Sequence, residues 1–234
     1  MAGRLTCAPT PPWGTQRAMM SGARPAFKTI QEGQRHMADL TDQGTSPPII
    51  NIVGRRVALG PMSHDLLPVY HRWANDFDVE LMGGEIVRPA TMESVAADLE
   101  HYTRSRNRVH FTIFETAALQ PIGWVNLRDI DYEHRTATMG ISINEKSQWG
   151  RGYGTEATML IIDYGFRILG LHNIMLDTFS GNLRAINTYL RVGFREIGRR
   201  REAHRIGSRV YDIVFMECLA SEFTTPLPPV VEVP

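Results

Sequence analysis

The sequence predicts an α/β chain of the α+β kind, with its elements in the order β-α-α-β-β-β-α-β-α-β-β. Three observations carry this. "VHFTIFE", "PIGWVNLRD" and "RTATMGISIN" are consecutive β-rich runs separated by turn residues, which predicts an antiparallel meander. "QWGRGYGTEATMLIIDYGF" then changes from glycines at every second position to an apolar face of helical period. Near the end, "FREIGRRREAH" and "SRVYDIVFMECL" flank a turn at Ile206 to Ser208, as a hairpin would.

The remaining elements follow in chain order. "RRVALGPM" reads as a short strand. The next segment opens with Ser63 as an N-cap and sets Leu66, Leu67, Tyr70 and Trp73 at helical spacing, with Pro68 confined to a first turn or a kink. A second helix starts at Thr91, carries Glu93 in its first turn and repeats Val95, Leu99 and Tyr102 at i, i+4, i+7. After the meander, Ala157, Leu160, Ile161, Tyr164 and Ile168 share one face of the glycine-started helix. "NIMLDTFS" is the next strand, and "NLRAINTYLRVG" a helix that ends at Gly193.

Composition bounds the function. The chain has 234 residues, 43% of them apolar, enough for one catalytic-size domain with tails. We place the domain at residues 49–221. Residues 1–48 read as a disordered Pro/Gly-rich extension without a periodic apolar face, and residues 222–234 as a Pro-rich tail of the same kind. The basic start resembles a transit peptide only in composition, and Met19, Met20 or Met37 would serve as the start of a gene read too long. Lys plus Arg and Asp plus Glu number 25 each, so global charge selects neither nucleic acid nor a membrane surface. Cys7 and Cys218 lie at opposite ends with no zinc spacing, and the histidines have no metal-ligand spacing, so no metal is expected and the setting is read as cytoplasmic. Arg199, Arg200 and Arg201 in the last hairpin read as a solvated edge, with Arg199 and Arg201 on one face.

Glycine at a helix start costs about 0.5 to 1 kcal/mol relative to alanine, so Gly150, Gly152 and Gly154 need a reason. First-turn amides lack internal partners and carry the positive end of the helix dipole, which makes this stretch a cradle for a pyrophosphate. A P-loop would need a lysine after the last glycine, where Thr155 and Glu156 stand. The dinucleotide fingerprint fits better in spacing, Gly152-x-Gly154-x-x-Ala157 with Asp177 about twenty residues on. Its context argues against it, because "NEKSQW" separates strand from glycines and no further βαβ units follow. An NAD(P)-binding oxidoreductase therefore stays a remote alternative.

Two motifs together resemble a known family. Trp149-Gly150-Arg151-Gly152-Tyr153-Gly154 follows R/Q-x-x-G-x-G/A, and Asn182, Ala185, Tyr189, Gly193 and Phe194 follow N-x-x-A-x-x-x-Y-x-x-x-G-F. The pair is similar to the GCN5-related N-acetyltransferase (GNAT) superfamily, in particular the branch of ribosomal-protein alanine and spermidine acetyltransferases, over about residues 52–219. Trp149 departs from the general Arg or Gln. The resemblance implies a mixed, mostly antiparallel central sheet in which "MGISI" and "IMLDTFS" diverge to admit the pantetheine arm of acetyl-CoA. It implies that backbone near Ile141 and Ile143 holds that arm and polarises the thioester, that amides from Arg151 to Thr155 hold the pyrophosphate, and that Asn182 contacts the pantetheine or simply caps its helix. Tyr189 would protonate the leaving sulfur. Asp177 is the candidate base, with Glu85 in "LMGGEIVRP" as its rival.

The expected function is acetyl transfer from acetyl-CoA to a primary amine by direct attack in a ternary complex, with a non-catalytic acyl-CoA sensor as the alternative. The acceptor is a small molecule or peptide: a polyamine, an aminoglycoside or a protein N terminus. At pH 7 an amine of pKa about 10.4 costs roughly 4.6 kcal/mol to deprotonate, and an α-amine of pKa about 8 only about 1.4. Asp76, Asp78, Glu80 and Glu85 form an acidic patch that would draw in a cationic acceptor. A homodimer is left open, and neither membrane nor nucleic acid is expected as a partner.

Overall fold

The structure is a computed structural model and describes residues 47–84 and 87–230. Glu85, nearly all of the N-terminal extension and the last four residues lie outside them. The described chain runs β1 (Ile52–Val53), β2 (Val57–Pro61), a 3-10 turn (His64–Leu66), α1 (Leu67–Ala74), α2 (Phe77–Gly83), α3 (Met92–Arg104), β3 (Val109–Glu115), β4 (Pro121–Asp131) and β5 (Thr136–Ile143). A second 3-10 turn (Lys146–Gln148) leads into α4 (Tyr153–Arg167), β6 (Asn173–Phe179), α5 (Leu183–Val192), β7 (Arg195–Ile206) and β8 (Arg209–Leu219). The eight strands form one sheet in the order β1-β2-β3-β4-β5-β6-β8-β7, and β5 with β6 is its parallel pair.

Two elements exceed the expected order. β1 has two residues, too few for a period to register. α2 has seven and buries only Val79, so it shows no apolar stripe. The predicted caps hold: Ser63 accepts from the Asp65 amide, and Pro68 sits in the first turn of α1. Thr91 forms a capping box, with Ser94 rather than an acid as its partner. Ile168 is a correction, since it lies past the end of α4 as its C-cap and is exposed.

Strand alternation divides the molecule. Val125 and Leu127 of β4, with Ile113 of β3, pack with Ala157, Leu160 and Ile161 of α4 in the main core. On the other face of the sheet, Thr112 of β3 meets the Tyr70 hydroxyl of α1 at 2.6 Å, and Tyr70 packs in a second cluster with Trp73, Val95 and Leu99. Burial raises the Tyr70 pKa. That second face is where strand residues line the cleft described below. The Pro-rich tail is corrected in its described part, which is ordered rather than disordered because its apolar residues find a surface: Phe223, Leu227 and Val230 pack on the main core, and the Val230 amide donates to Asp163 at 2.9 Å.

The alternation expected for the arginine run does not carry through. Arg200 pairs with Ile213 and His204 with Tyr211, so β7 carries two extra residues there, and Glu202 takes φ +51 within the bulge. Arg199 folds back onto Glu196 at 2.7 and 2.8 Å. The bulged, charged edge fits an unpaired outer strand.

Glu156, buried in the first turn of α4, ties the helix start to the sheet. Its Oε1 accepts the backbone amides of Arg55 at 2.5 Å, Arg56 at 2.8 Å and Val57 at 3.4 Å. Glu156→Ala would orphan these donors and is expected to destabilise the fold by about 1 to 3 kcal/mol in chemical denaturation, while Glu156→Gln, which keeps an acceptor oxygen, costs less. Equal losses in the two variants would refute the role of the carbonyl-type acceptor.

Candidate active site

β5 stays paired with β4 along its length, from Thr138 opposite Arg128 to Ile143 opposite Gly123. Its pairing with β6 covers only Thr136 to Thr138 against Asn173 to Met175. Beyond Thr138 the two strands part, so Met139 to Ile143 have β4 on one edge and, among the described residues, no strand on the other. Ile141 and Ile143, both predicted, stand on this open stretch. The gap continues into a cleft of about 900 Å³ whose walls come from α1, α2, α3, β3 to β6, α4 and α5. A cleft of this size at the parting of parallel strands is a usual place for a ligand.

The glycine stretch lies on the cleft. Trp149, Gly150, Gly152, Tyr153, Gly154 and Thr155 all line it, and Arg151 does not: its carbonyl accepts from Arg56 Nη1 at 3.0 Å. Gly152 is the N-cap of α4 at φ +83, and the first helical bond runs from the Glu156 amide to its carbonyl. The amides of Tyr153, Gly154 and Thr155 therefore have no partner within the helix. A Cβ added at Gly154 would sit an ordinary 3.6 Å from Ile143, so the protein itself does not exclude a side chain there. A ligand pressed against the backbone would. This cradle, opening onto the strand gap, fits a pyrophosphate with an extended arm beyond it.

Trp149 is pinned on both sides. Its indole N–H donates to the Ile143 carbonyl at 2.6 Å, and the Arg184 guanidinium lies 3.9 Å from its ring centroid. A guanidinium thus stands beside the position where the resembling pattern has Arg or Gln. Sequence reasoning missed Arg184, because nothing local announces a stack between residues 35 apart. Burial lowers the Arg184 pKa, although its ordinary value is high enough to leave it charged.

Tyr189, Asp177 and Asn182 line the same cleft. Tyr189 is buried on α5 against Phe194, and its hydroxyl has no hydrogen-bond partner among the described residues. Burial, with the negative charge of Asp177 added, pushes its pKa up to about 12. Asp177 lies on β6 just past the parallel pairing, half-exposed, with Arg128 Nη2 at 3.6 Å from its carboxylate. Arg128 also meets Asp129 at 2.8 Å, at a bulge of β4 where Asp129 takes φ +53. Asn182 caps α5 through Oδ1, which accepts from the Ala185 amide at 3.2 Å, and its Nδ2 donates to the Met82 carbonyl at 2.9 Å.

The acidic patch is altered by a residue from elsewhere. Lys146 bonds Asp76 at 2.7 Å and Asp78 at 2.8 Å, which lowers the Asp76 pKa and raises its own. One lysine thus offsets part of the charge of these two carboxylates within the protein. Glu145 is likewise occupied, by Arg72 at 2.6 Å and the Trp73 indole at 2.7 Å. The carboxylates that line the cleft are Glu80, Asp98 and Asp177.

Comparison with known proteins adds a family. The model of the acetyltransferase (GNAT) domain matches residues 56–195, more than half of the chain. The chain is 35% identical over 111 residues to the spermidine N(1)-acetyltransferase of Vibrio cholerae serotype O1, which covers 47% of this chain and 64% of that protein. It therefore spans less than two thirds of that curated relative. It is 25% identical over 158 residues to the human alpha/beta-tubulin-N-acetyltransferase 9, covering 62% of this chain and 75% of that one. Among solved structures, the spermidine N-acetyltransferase from Vibrio cholerae in complex with CoA and spermine superposes with a TM-score of 0.66 at 26% identity, over 71% of this chain and 97% of that chain.

Proposed function

The chain belongs to the GNAT acetyltransferase family, and from that premise we propose that it transfers an acetyl group from acetyl-CoA to a primary amine. The observation that carries the proposal is the meeting, in one cleft at the parting of β5 and β6, of the α4 amide cradle with Tyr189 and Asp177. Acetyl-CoA, when bound, supplies an acetyl thioester activated for attack by nitrogen. The amides of Tyr153 to Thr155 bind its phosphates, with the Arg184 guanidinium beside them. The open edge of β5 around Ile141 lends main-chain groups to the extended arm and to the thioester carbonyl. Ile143 contributes its position, since its own carbonyl is taken by Trp149.

In the transfer the amine nitrogen forms a bond to the acetyl carbon and the carbon–sulfur bond breaks. Asp177 takes the proton lost from nitrogen, directly or through water, and Tyr189 gives one to the sulfur. Polyamines are the acceptor class to try first: similar enzymes carry spermidine in their names, and Glu80, Asp98 and Asp177 are three carboxylates along the cleft.

The test is thiol release from acetyl-CoA against spermidine, an aminoglycoside, free amino acids and N-terminal peptides. Release with at least one amine is expected, and acetyl-CoA binding with no release from any would favour a sensor. The pH profile adds a sharper expectation. A pKa raised to about 12 keeps Tyr189 protonated, and thus able to donate, throughout the working range, and the donor is lost only as pH rises through about 12. The rate should climb as the amine deprotonates and show no descending limb below pH about 10. A descending limb well below that would remove Tyr189 as the acid.

A further inference from the structure

His110, Asn126 and Gly140 stand directly opposite one another on β3, β4 and β5, since His110 pairs with Asn126 and Asn126 with Gly140. Residues so paired share one face of a sheet, and here all three line the cleft. Gly140 lies two residues beyond the last bond between β5 and β6, at the start of the open edge. A Cβ there would come within 3.1 Å of Asn126 Oδ1 and 3.4 Å of the Trp124 ring. The absent side chain leaves the Asn126 carbonyl oxygen facing the point where the strands part.

Three buried polar atoms of this face lack hydrogen-bond partners among the described residues. Asn126 is only 4% exposed, and its buried Oδ1 accepts no hydrogen bond among the described residues. Both ring nitrogens of His110 are buried and unpartnered as well, although the ring is fixed between Tyr102, at a centroid distance of 5.0 Å, and Trp124 at 5.3 Å. Leaving three such atoms unsatisfied is costly in a folded protein, and the cost is removed when a ligand supplies the missing groups. Burial, with Arg108 nearby, holds the His110 pKa down to about 3, so the imidazole is neutral wherever an amine is nucleophilic.

We propose that Asn126 and His110 form the dock for the reacting primary amine, an inference that rests on the transferase reading above. Asn126 Oδ1 accepts one amine N–H beside the open edge of β5, and the imidazole supplies the neighbouring polar contact. Held through its N–H, the nitrogen keeps its lone pair directed toward the open edge. The dock contains no charge of its own, so it takes the amine as free base, and Asp177 on the same side of the cleft receives the proton during transfer.

Spermidine and an N-terminal alanyl peptide serve as probes. Calorimetry measures their binding to the complex of the protein with CoA, and thiol release gives KM and kcat. Asn126→Leu keeps the side chain's size and loses the oxygen; it should raise the KM of the accepted amine about ten- to hundredfold while acetyl-CoA affinity stays within twofold. Asn126→Asp places a carboxylate in the dock, which favours the ammonium form, so the rate profile should move to higher pH. His110→Phe keeps the ring stack and should weaken amine binding alone, which covers the case of an unstable Asn126 variant. Unchanged amine KM and binding in Asn126→Leu and His110→Phe would overturn the dock, as would acetyl-CoA and amine affinities falling together. If the wild type binds an amine by calorimetry but releases no thiol, the transferase reading fails while the dock is judged on binding. If neither probe binds the wild-type CoA complex, the dock is overturned.

Discussion

Tyr189→Phe is expected to lower kcat by about two to four orders of magnitude, the usual worth of a general acid, with acetyl-CoA affinity nearly unchanged. The structure makes this substitution unusually clean. Tyr189 is buried in the main core and tilts against Phe194 at a centroid distance of 5.9 Å, a packing role that a phenyl ring keeps in full. The hydroxyl has no partner among the described residues, so removing it orphans no other group and stability should change by less than about 1 kcal/mol. Its one remaining neighbour is the cleft itself. A stable variant that still binds acetyl-CoA, yet releases thiol at a small fraction of the wild-type rate, is the expected result by calorimetry and a thiol assay. A kcat within threefold of wild type would leave water as the proton source.

Why Tyr189 was legible and Asn126 was not is a matter of pattern. Tyr189 lies in a spaced motif with Asn182, Gly193 and Phe194, each with a local backbone duty that recurs at the same distance: Asn182 caps α5, and Gly193 ends it at φ +109. The meander, the helix caps and the last hairpin were legible for the same local reason. His110 and Asn126 sit at alternate positions of strands, where polar residues look like an ordinary solvated face. Only the packing of α1 and α3 over that face turns it into a buried wall. Long-range pairings were equally invisible: Lys146 bonds Asp76 and Asp78 from 68 or more residues away, and Arg184 reaches Trp149 across α4 and β6. Thus the glycine-loop wall of the cleft, built from contiguous loops and helix starts, was legible in advance as part of one site. The wall assembled from distant strands and helices was not.

Gly152→Val is expected to weaken acetyl-CoA binding by a hundredfold or more while the fold persists. Gly152 holds φ +83, a conformation strained for any β-branched residue at about 1 to 3 kcal/mol, and a Cβ there would stand 3.1 Å from Arg56 Nη1. Relief requires the backbone to rotate at the N-cap, which turns the amides of Tyr153, Gly154 and Thr155 away from their common focus. The rest of α4 is anchored by Glu156 on Arg55 and Arg56, so the change is confined to the first turn. Each hydrogen bond to a charged oxygen is worth about 1.5 to 3 kcal/mol, and losing two exceeds a factor of a hundred. Gly154→Ala separates strain from ligand contact: its new methyl meets only Ile143 at 3.6 Å, so thermal stability should hold while affinity falls. Gly150→Ala, with nothing within 4 Å but φ +76, should cost some stability and less affinity. Calorimetry on the three variants gives the order, and full affinity in Gly152→Val would mean that the phosphates are held by something other than the first turn of α4.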